Sequence, residues 1–250
     1  GGASGIGKRS SIKLVEQGHD VAVIDSDDGA LGDLDREIET FQADVTDEDQ
    51  VGEVFERFEP EVVINSAGVQ ERGAAEDMEL DEFRRISEIN YIGTVNVIKN
   101  AMPALRRNSG RIVNISSAAG LTGAPFLSAY CASKHAVEGF SDSLRMELDD
   151  SEVDVVIVEP GPIQTGFNQE AQRRLSRFIP NSRYSDRYYE RIDKQIDRAD
   201  VGKAAEEVVA AATDSNPSTR YTVTSSAWIA GRLKRFIPDR LWDRLIIREF

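Results

Sequence analysis

Tyr130 and Lys134 stand four residues apart in Tyr130-Cys-Ala-Ser-Lys134, so on a helix they share one face, a turn apart. A phenol ionises at about pH 10 and is a poor base near neutrality. A neighbouring cation stabilises the phenolate, and each unit of lowering is worth about 1.4 kcal/mol. The pair is therefore suited to moving a proton. Taken alone, tyrosine and lysine at this spacing are an ordinary surface pair, and their company gives them weight. Ser116 and Ser117 end the apolar run Arg111-Ile-Val-Asn-Ile115, where a hydroxyl can hold a substrate oxygen and steady developing charge. Asn65-Ser-Ala-Gly68 ends another such run, and its Ala67 and Gly68 let a bound molecule come close. Asn90, in Ile89-Asn-Tyr-Ile-Gly93, can bend its helix by bonding the backbone, or hold a water. Pro160-Gly-Pro-Ile-Gln-Thr165 makes a rigid turn after Val158 and ends in a hydroxyl that can bind an amide. Singly, each of these is more often a cap, a turn or a packed polar residue.

Gly1-Gly-Ala-Ser-Gly-Ile-Gly7 precedes a helical stretch. Glycines permit the tight curvature and close backbone approach that a pyrophosphate requires, and a helix start offers free N–H groups at its positive dipole end. Gly1, Ser4, Gly5, Ile6 and Gly7 are thus candidate phosphate contacts. Val21-Ala-Val-Ile-Asp25 follows, a strand ending in a carboxylate able to accept hydrogen bonds from ribose hydroxyls. A 2′-phosphate there meets like charge, so NAD is expected over NADP. The alternative for Asp25 is a helix cap or a solvated loop acid, and Lys8 keeps some NADP binding open.

These residues need strands and helices to bring them together. Val21-Ala-Val-Ile24, Glu61-Val-Val-Ile-Asn65, Arg111-Ile-Val-Asn-Ile115 and Val153-Asp-Val-Val-Ile-Val158 read as strands buried on both faces of a parallel sheet. Between them the spacing predicts helices over Ile6 to Gln17, stopped by Gly18, and over Asp47 to Phe58, with Thr46 as N-cap. Leu80 to Leu105 reads as a crossover helix. Ala129 to Leu148 carries an apolar stripe of Ala132, Ala136, Val137, Phe140, Leu144 and Leu148. Alternation of this kind predicts one α/β domain, a doubly wound parallel sheet with right-handed crossovers. A glycine turn of this type normally follows a central strand, yet nothing precedes Gly1. The expectation is a chain truncated at its N-terminus, with a break of roughly 10 Å between the strands ending at Asp25 and Asn65. The competing view is that another segment fills the slot.

Composition narrows the classes. The net charge of −14 repels phosphates and argues against a nucleic-acid partner. A single cysteine, Cys131, excludes an internal disulfide, and with only His19 and His135 a metal site is not expected. No apolar stretch approaches the roughly 20 residues of a membrane span, and the expected location is cytoplasmic. Arginine-rich, lysine-poor acidity fits a halophilic source or an ordinary acidic bacterial enzyme about equally.

Together the motifs resemble those of the short-chain dehydrogenase/reductase family, over Gly1 to about Phe167. Gly1-Gly-Ala-Ser-Gly-Ile-Gly7 is similar to its TGxxxGxG turn without the leading threonine, and Asn65-Ser-Ala-Gly68 to its NNAG with one substitution. Asn90, Ser117, Tyr130 and Lys134 fall on its catalytic tetrad, Ser117 being preferred to Ser116 for its distance from Tyr130. Pro160, Gly161 and Thr165 match its PGxxxT, which brings Ile163 with them, and Asp44-Val45 resembles the pair that packs on the adenine. The resemblance implies a Rossmann-like fold and an oxidoreductase that interconverts a small-molecule alcohol and ketone with NAD or NADP. Tyr130 moves the proton, Ser117 orients the substrate oxygen, Lys134 binds ribose and lowers the tyrosine pKa, and Asn90 holds a water. Hydroxysteroid and retinol dehydrogenases look most alike at Tyr130 to Phe140 and Glu159 to Phe167, and a homodimer or homotetramer is implied. The rivals are a non-catalytic nucleotide sensor or scaffold, and an epimerase, which this length does not favour.

Two segments stand apart. Residues from about 167 to 200 are polar and rich in arginine, a candidate substrate lid beside the ligand crevice. Residues 228–250 mix Trp, Leu and Ile with Arg and could touch a membrane. Packing on the pocket or a sister subunit is the preferred reading, and membrane contact is not expected.

Overall fold

The computed structural model describes residues 1–165, 171, 173–193 and 199–249. Helix α1 (Gly5–Glu16) precedes β1 (Ala22–Asp25), helix α2 (Asp28–Gly32) joins β1 to β2 (Glu39–Gln42), and the two strands pair in parallel. A second parallel sheet runs in the order β3 (Val62–Asn65), β4 (Arg111–Ile115), β5 (Asp154–Glu159) and β6 (Arg220–Thr222). The sheets divide between β1 and β3, where the break was expected. At that interval the Gly2 N–H donates to the Ile24 carbonyl at 3.3 Å. Gly1 lies so close to Ala67 that a Cβ would stand 2.3 Å from its Cα.

The central strands are apolar throughout because both faces are covered. On β4 and β5, Ile112 and Val155 point into one core with Val51, Val97 and Leu105 of helices α3 (Glu48–Arg57) and α5 (Gly93–Arg107). Val113, Ile115, Val156 and Val158 point the other way, into a core shared with Val208 and Ala211 of the helix Val201–Thr213. Successive strand residues alternate faces, so a run of Val and Ile serves both layers.

Several expected elements shift. β2 and β6 are strands the sequence reading did not place: β2 turns only Phe41 inward, and β6 is half-buried throughout. The N-cap of α3 is Asp47, whose carboxylate accepts the Gln50 N–H, while Thr46 bonds Asp44 instead. The expected crossover helix is three pieces: α4 (Leu80–Ser87), a π-turn at Glu88–Ile92, and α5. Helix α6 (Ser128–Glu147) buries Tyr130, Ser133, Lys134, Val137, Ser141 and Leu144. Ala132, expected in its apolar stripe, is exposed. The inward face is thus largely polar, and each polar group on it requires a partner.

One ion cluster locks α6 to the sheet. Arg220 on β6 bonds Glu159 of β5 at 2.7 Å, Asp142 of α6 at 2.8 Å, and Glu138 of α6. Glu138 and Glu159 are buried, and burial pushes the Glu159 carboxyl up despite its bond to Arg220. Arg220→Met leaves two buried carboxylates without their cation and is expected to cost about 3 kcal/mol at neutral pH. The loss should shrink as pH falls, because the stranded acids then bind protons more readily folded than unfolded. Urea denaturation of both proteins at acid and neutral pH checks this; equal stability throughout would contradict it.

Candidate active site

Tyr130 sits in the first turn of α6 and Lys134 one turn later, both buried. The Lys134 amine donates to the carbonyl of Ile115, the last residue of β4, at 2.8 Å, and lies 5.9 Å from the centre of the Tyr130 ring. A hydrogen bond from Ser117 meets the phenol oxygen. Ser117 follows β4 and caps a short 3-10 turn, its hydroxyl accepting the Ala119 N–H at 3.1 Å. Its neighbour Ser116 is turned inward beneath Gly120, where a Cβ would stand 2.6 Å from the serine oxygen. The phenol, the amine and one hydroxyl therefore meet at the carboxyl tip of β4.

Asn90 lies in the π-turn and is fully buried. Its amide accepts the Val69 N–H at 2.7 Å and donates to the Val69 carbonyl and the Ser133 hydroxyl, each at 2.9 Å. Both amide protons are thus spent on the loop after β3 and on α6. Its bonds cross to Val69, and the helix departs from α-geometry as a π-turn, which often marks functional sites.

The remaining candidates converge in part. A Cβ at Gly68 would stand 3.3 Å from the Asn90 amide oxygen and 3.8 Å from the Lys134 nitrogen. Gly5, at φ +50°, faces Thr165, and Gly1 faces Ala67. The Pro160 carbonyl accepts the Ala118 N–H at 2.8 Å, which brings the Pro160-Gly161 turn beside Ser117. Asn65 donates to Asn114 at 2.9 Å and Asn114 to Ser141 at 2.9 Å, a buried polar chain beneath the site. Ser4 is the N-cap residue of helix α1 (Gly5–Glu16), Gly7 lies inside it, and Ile6 packs toward the β4 core. Ile163 is buried, bridged to Ala199. Asp44 turns its carboxylate to Thr46, and Val45 packs against Gly93, both on the loop after β2. Asp25 accepts the Ala3 N–H at 3.0 Å and the Asp27 N–H at 3.1 Å, so its carboxylate already braces the glycine turn.

Burial controls the protonation of the central pair. It pushes the Tyr130 phenol up to about 12, against the pull of the Ser117 hydrogen bond and the Arg72 charge. It pushes the Lys134 amine down to about 8, with Glu138 pulling upward. Lowering of the phenol is expected from the lysine together with an oxidised nicotinamide, and in the protein by itself burial raises it. Desolvation outweighs the Ser117 hydrogen bond, and the charge that pulls the phenol down is that of Arg72. Sequence reasoning missed this arginine. It is buried four residues after Gly68, in a polar loop whose composition suggests solvent.

The expected lid lies partly outside the described residues. Its described part packs on the loop after β3: Arg174 bonds buried Glu71 at 2.5 Å, and the Tyr188 hydroxyl accepts the Ala74 N–H at 2.7 Å while bonding Asp77. Phe126 meets Tyr184 and Tyr188 of this segment edge to face.

The sequence pattern of the short chain dehydrogenase family matches residues 1–176. The chain belongs to the short-chain dehydrogenase/reductase family. It is 27% identical to the uncharacterized oxidoreductase YusZ of Bacillus subtilis, over 100% of this chain and 96% of that protein. It is 33% identical to a 3-ketodihydrosphingosine reductase of Bacteroides thetaiotaomicron, over 75% of this chain and 71% of that one. The crystal structure of a short chain dehydrogenase from Burkholderia cenocepacia, in complex with NADP, superposes with a TM-score of 0.82. It covers 98% of this chain and 94% of its own at 24% identity, a likeness of fold. Among the described residues no group of acids, histidines and cysteine could hold a metal.

Burial is the largest influence on the resting state of the phenol. In the isolated protein, the phenolate absorbance that separates it from Tyr130→Phe should emerge only near pH 12. A difference band already present at neutral pH would show that a cation dominates instead.

Proposed function

We propose that the protein interconverts a secondary alcohol and a ketone by hydride transfer with a nicotinamide dinucleotide, Tyr130 serving as the acid and base. The observation that carries this reading is the meeting of Ser117, Tyr130 and Lys134 at the tip of β4, beside Gly68. A nicotinamide dinucleotide is expected along Gly5, Ala67, Gly68 and Thr165, where a Cβ at Gly68 would stand tight against the Asn90 amide oxygen, 3.3 Å away. Bound there, it supplies the hydride acceptor or donor and, when oxidised, a positive charge. Ser117 holds the substrate oxygen. Tyr130 takes the hydroxyl proton in oxidation and returns it to the carbonyl oxygen in reduction. Lys134 keeps one N–H on Ile115 and would have its others free to hold the ribose hydroxyls of the bound nucleotide. Asn90 acts as a positioning residue, tying the Val69 loop to Ser133, the residue before the lysine. The name of the Bacteroides relative, a ketone reductase, agrees with this chemistry.

Tyr130→Phe is expected to lower turnover by about 100- to 10,000-fold and to leave nucleotide affinity nearly unchanged. A screen of alcohols and ketones followed by nicotinamide absorbance, with nucleotide binding measured by fluorescence, tests both halves. Full activity in the variant would refute the assignment.

Asp25 favours NAD over NADP, because its carboxylate stands at the end of β1 where an adenosine ribose is expected. The NADP bound by the Burkholderia protein makes the choice worth testing. Asp25→Ser should shift selectivity toward NADP by about tenfold or more. An unchanged ratio of kcat/KM for the two nucleotides would leave the carboxylate as a backbone brace for Ala3 and Asp27.

A further inference from the structure

The chain ends in two short helices, Ser225–Leu233 and Asp239–Glu249, joined through a 3-10 turn at Lys234–Phe236. Eleven large apolar side chains are exposed among the described residues, and seven of them fall between Trp228 and Ile247. The other four are scattered, as on ordinary surfaces. Phe236 is the extreme, at 73% exposure. So many solvated apolar groups in one stretch mark an interaction surface. The expected packing onto the body accounts for a different set. Ala227 is fully buried, and buried Trp242 donates its indole N–H to the Thr122 hydroxyl at 2.7 Å. The exposed side chains are what remains after that docking.

Charge identifies what could cover them. Residues 225–249 hold Arg232, Lys234, Arg235, Arg240, Arg244 and Arg248 against Asp239, Asp243 and Glu249, a local charge of +3 in a chain of −14. Two of these cations ride on exposed rings, Arg232 over Trp228 at 5.5 Å and Arg235 over Phe236 at 4.9 Å. Aromatic bodies rimmed by cations suit the boundary between headgroups and acyl chains. A second copy offers acidic surface to the arginines, but beyond this stretch its exposed apolar residues are isolated. An anionic lipid surface satisfies both kinds of side chain.

We propose that this C-terminal face docks the protein peripherally on an anionic lipid bilayer, with Trp228, Ile229, Phe236 and Leu241 entering the acyl boundary and the arginines meeting lipid phosphates. Among the described residues no helix is long and apolar enough to cross a membrane, so the contact is with one leaflet. The face adjoins the candidate site. Gly231 packs on Leu121, where a Cβ would stand 3.1 Å from its methyl, in the loop that starts at Ser117.

Flotation of the full chain with vesicles of phosphatidylcholine, alone or mixed with phosphatidylglycerol, tests this. Binding should be at least about tenfold stronger to the anionic vesicles and should weaken as salt rises. Tryptophan emission should shift to the blue, reporting Trp228 because Trp242 is already buried. Phe236→Ser with Leu241→Ser, and separately Arg235→Glu with Arg244→Glu, should each abolish flotation while leaving thermal unfolding unchanged. The unaltered protein's response to salt and lipid stands as a test if a variant fails to fold. Absence of binding to either vesicle would overturn the proposal. So would a sedimentation-detected dimer that the same substitutions dissociate, which would assign the face to a second copy.

Discussion

Two hydrogen bonds between α6 and β4 hold the chemistry of this protein in place. The Lys134 amine donates to the Ile115 carbonyl, and two helical turns on, the Ser141 hydroxyl accepts from the Asn114 amide. Both bonds are buried, where a lost partner is costly because no water replaces it. Sliding the helix along the strand would strand an amine and an amide together. The register of α6 is thereby pinned to the tip of the sheet, and Tyr130, one turn before the lysine, comes to rest against Ser117. One turn beyond the lysine the helix is held as well by the arginine on β6, through Glu138 and Asp142.

The same burial that fixes the pair also holds both groups toward their neutral forms. A phenol pushed up to about 12 keeps its proton, and an amine pushed down to about 8 is close to giving one away. Placing ionisable groups in a low dielectric makes their protonation sensitive to any charge that arrives nearby. Arg72, reached only because the loop after β3 folds inward beneath Tyr188 and Phe126, is a standing charge of that kind.

What could be read beforehand followed from how strongly each segment announces its environment. The strands at Val62–Asn65, Arg111–Ile115 and Asp154–Glu159 are runs of valine and isoleucine, and burial on both faces leaves little ambiguity. β2 stayed hidden because one phenylalanine among polar residues gives no period, and β6 because three half-buried residues give none either. Tyr130, Lys134 and Ser117 were legible because their spacing and their place at a strand end imply a meeting. Arg72 was not, since a charged residue between glutamates and glycines looks solvated until tertiary packing covers it. The π-turn at Asn90 left no mark in the sequence: the helical pattern runs on across it, and only the amide's reach to Val69 reveals the departure.

Gly93 begins α5 directly after that turn, and the space where its Cβ would sit is taken by a methyl of Val45, 2.5 Å away. A residue on the loop after β2 is thus wedged against the segment that carries Asn90. Enlarging either position displaces the other, so the two must change as a pair or not at all. Across descendants of this sequence, the size of the side chain at 45 should be readable from the identity of residue 93, although 48 positions separate them in the chain.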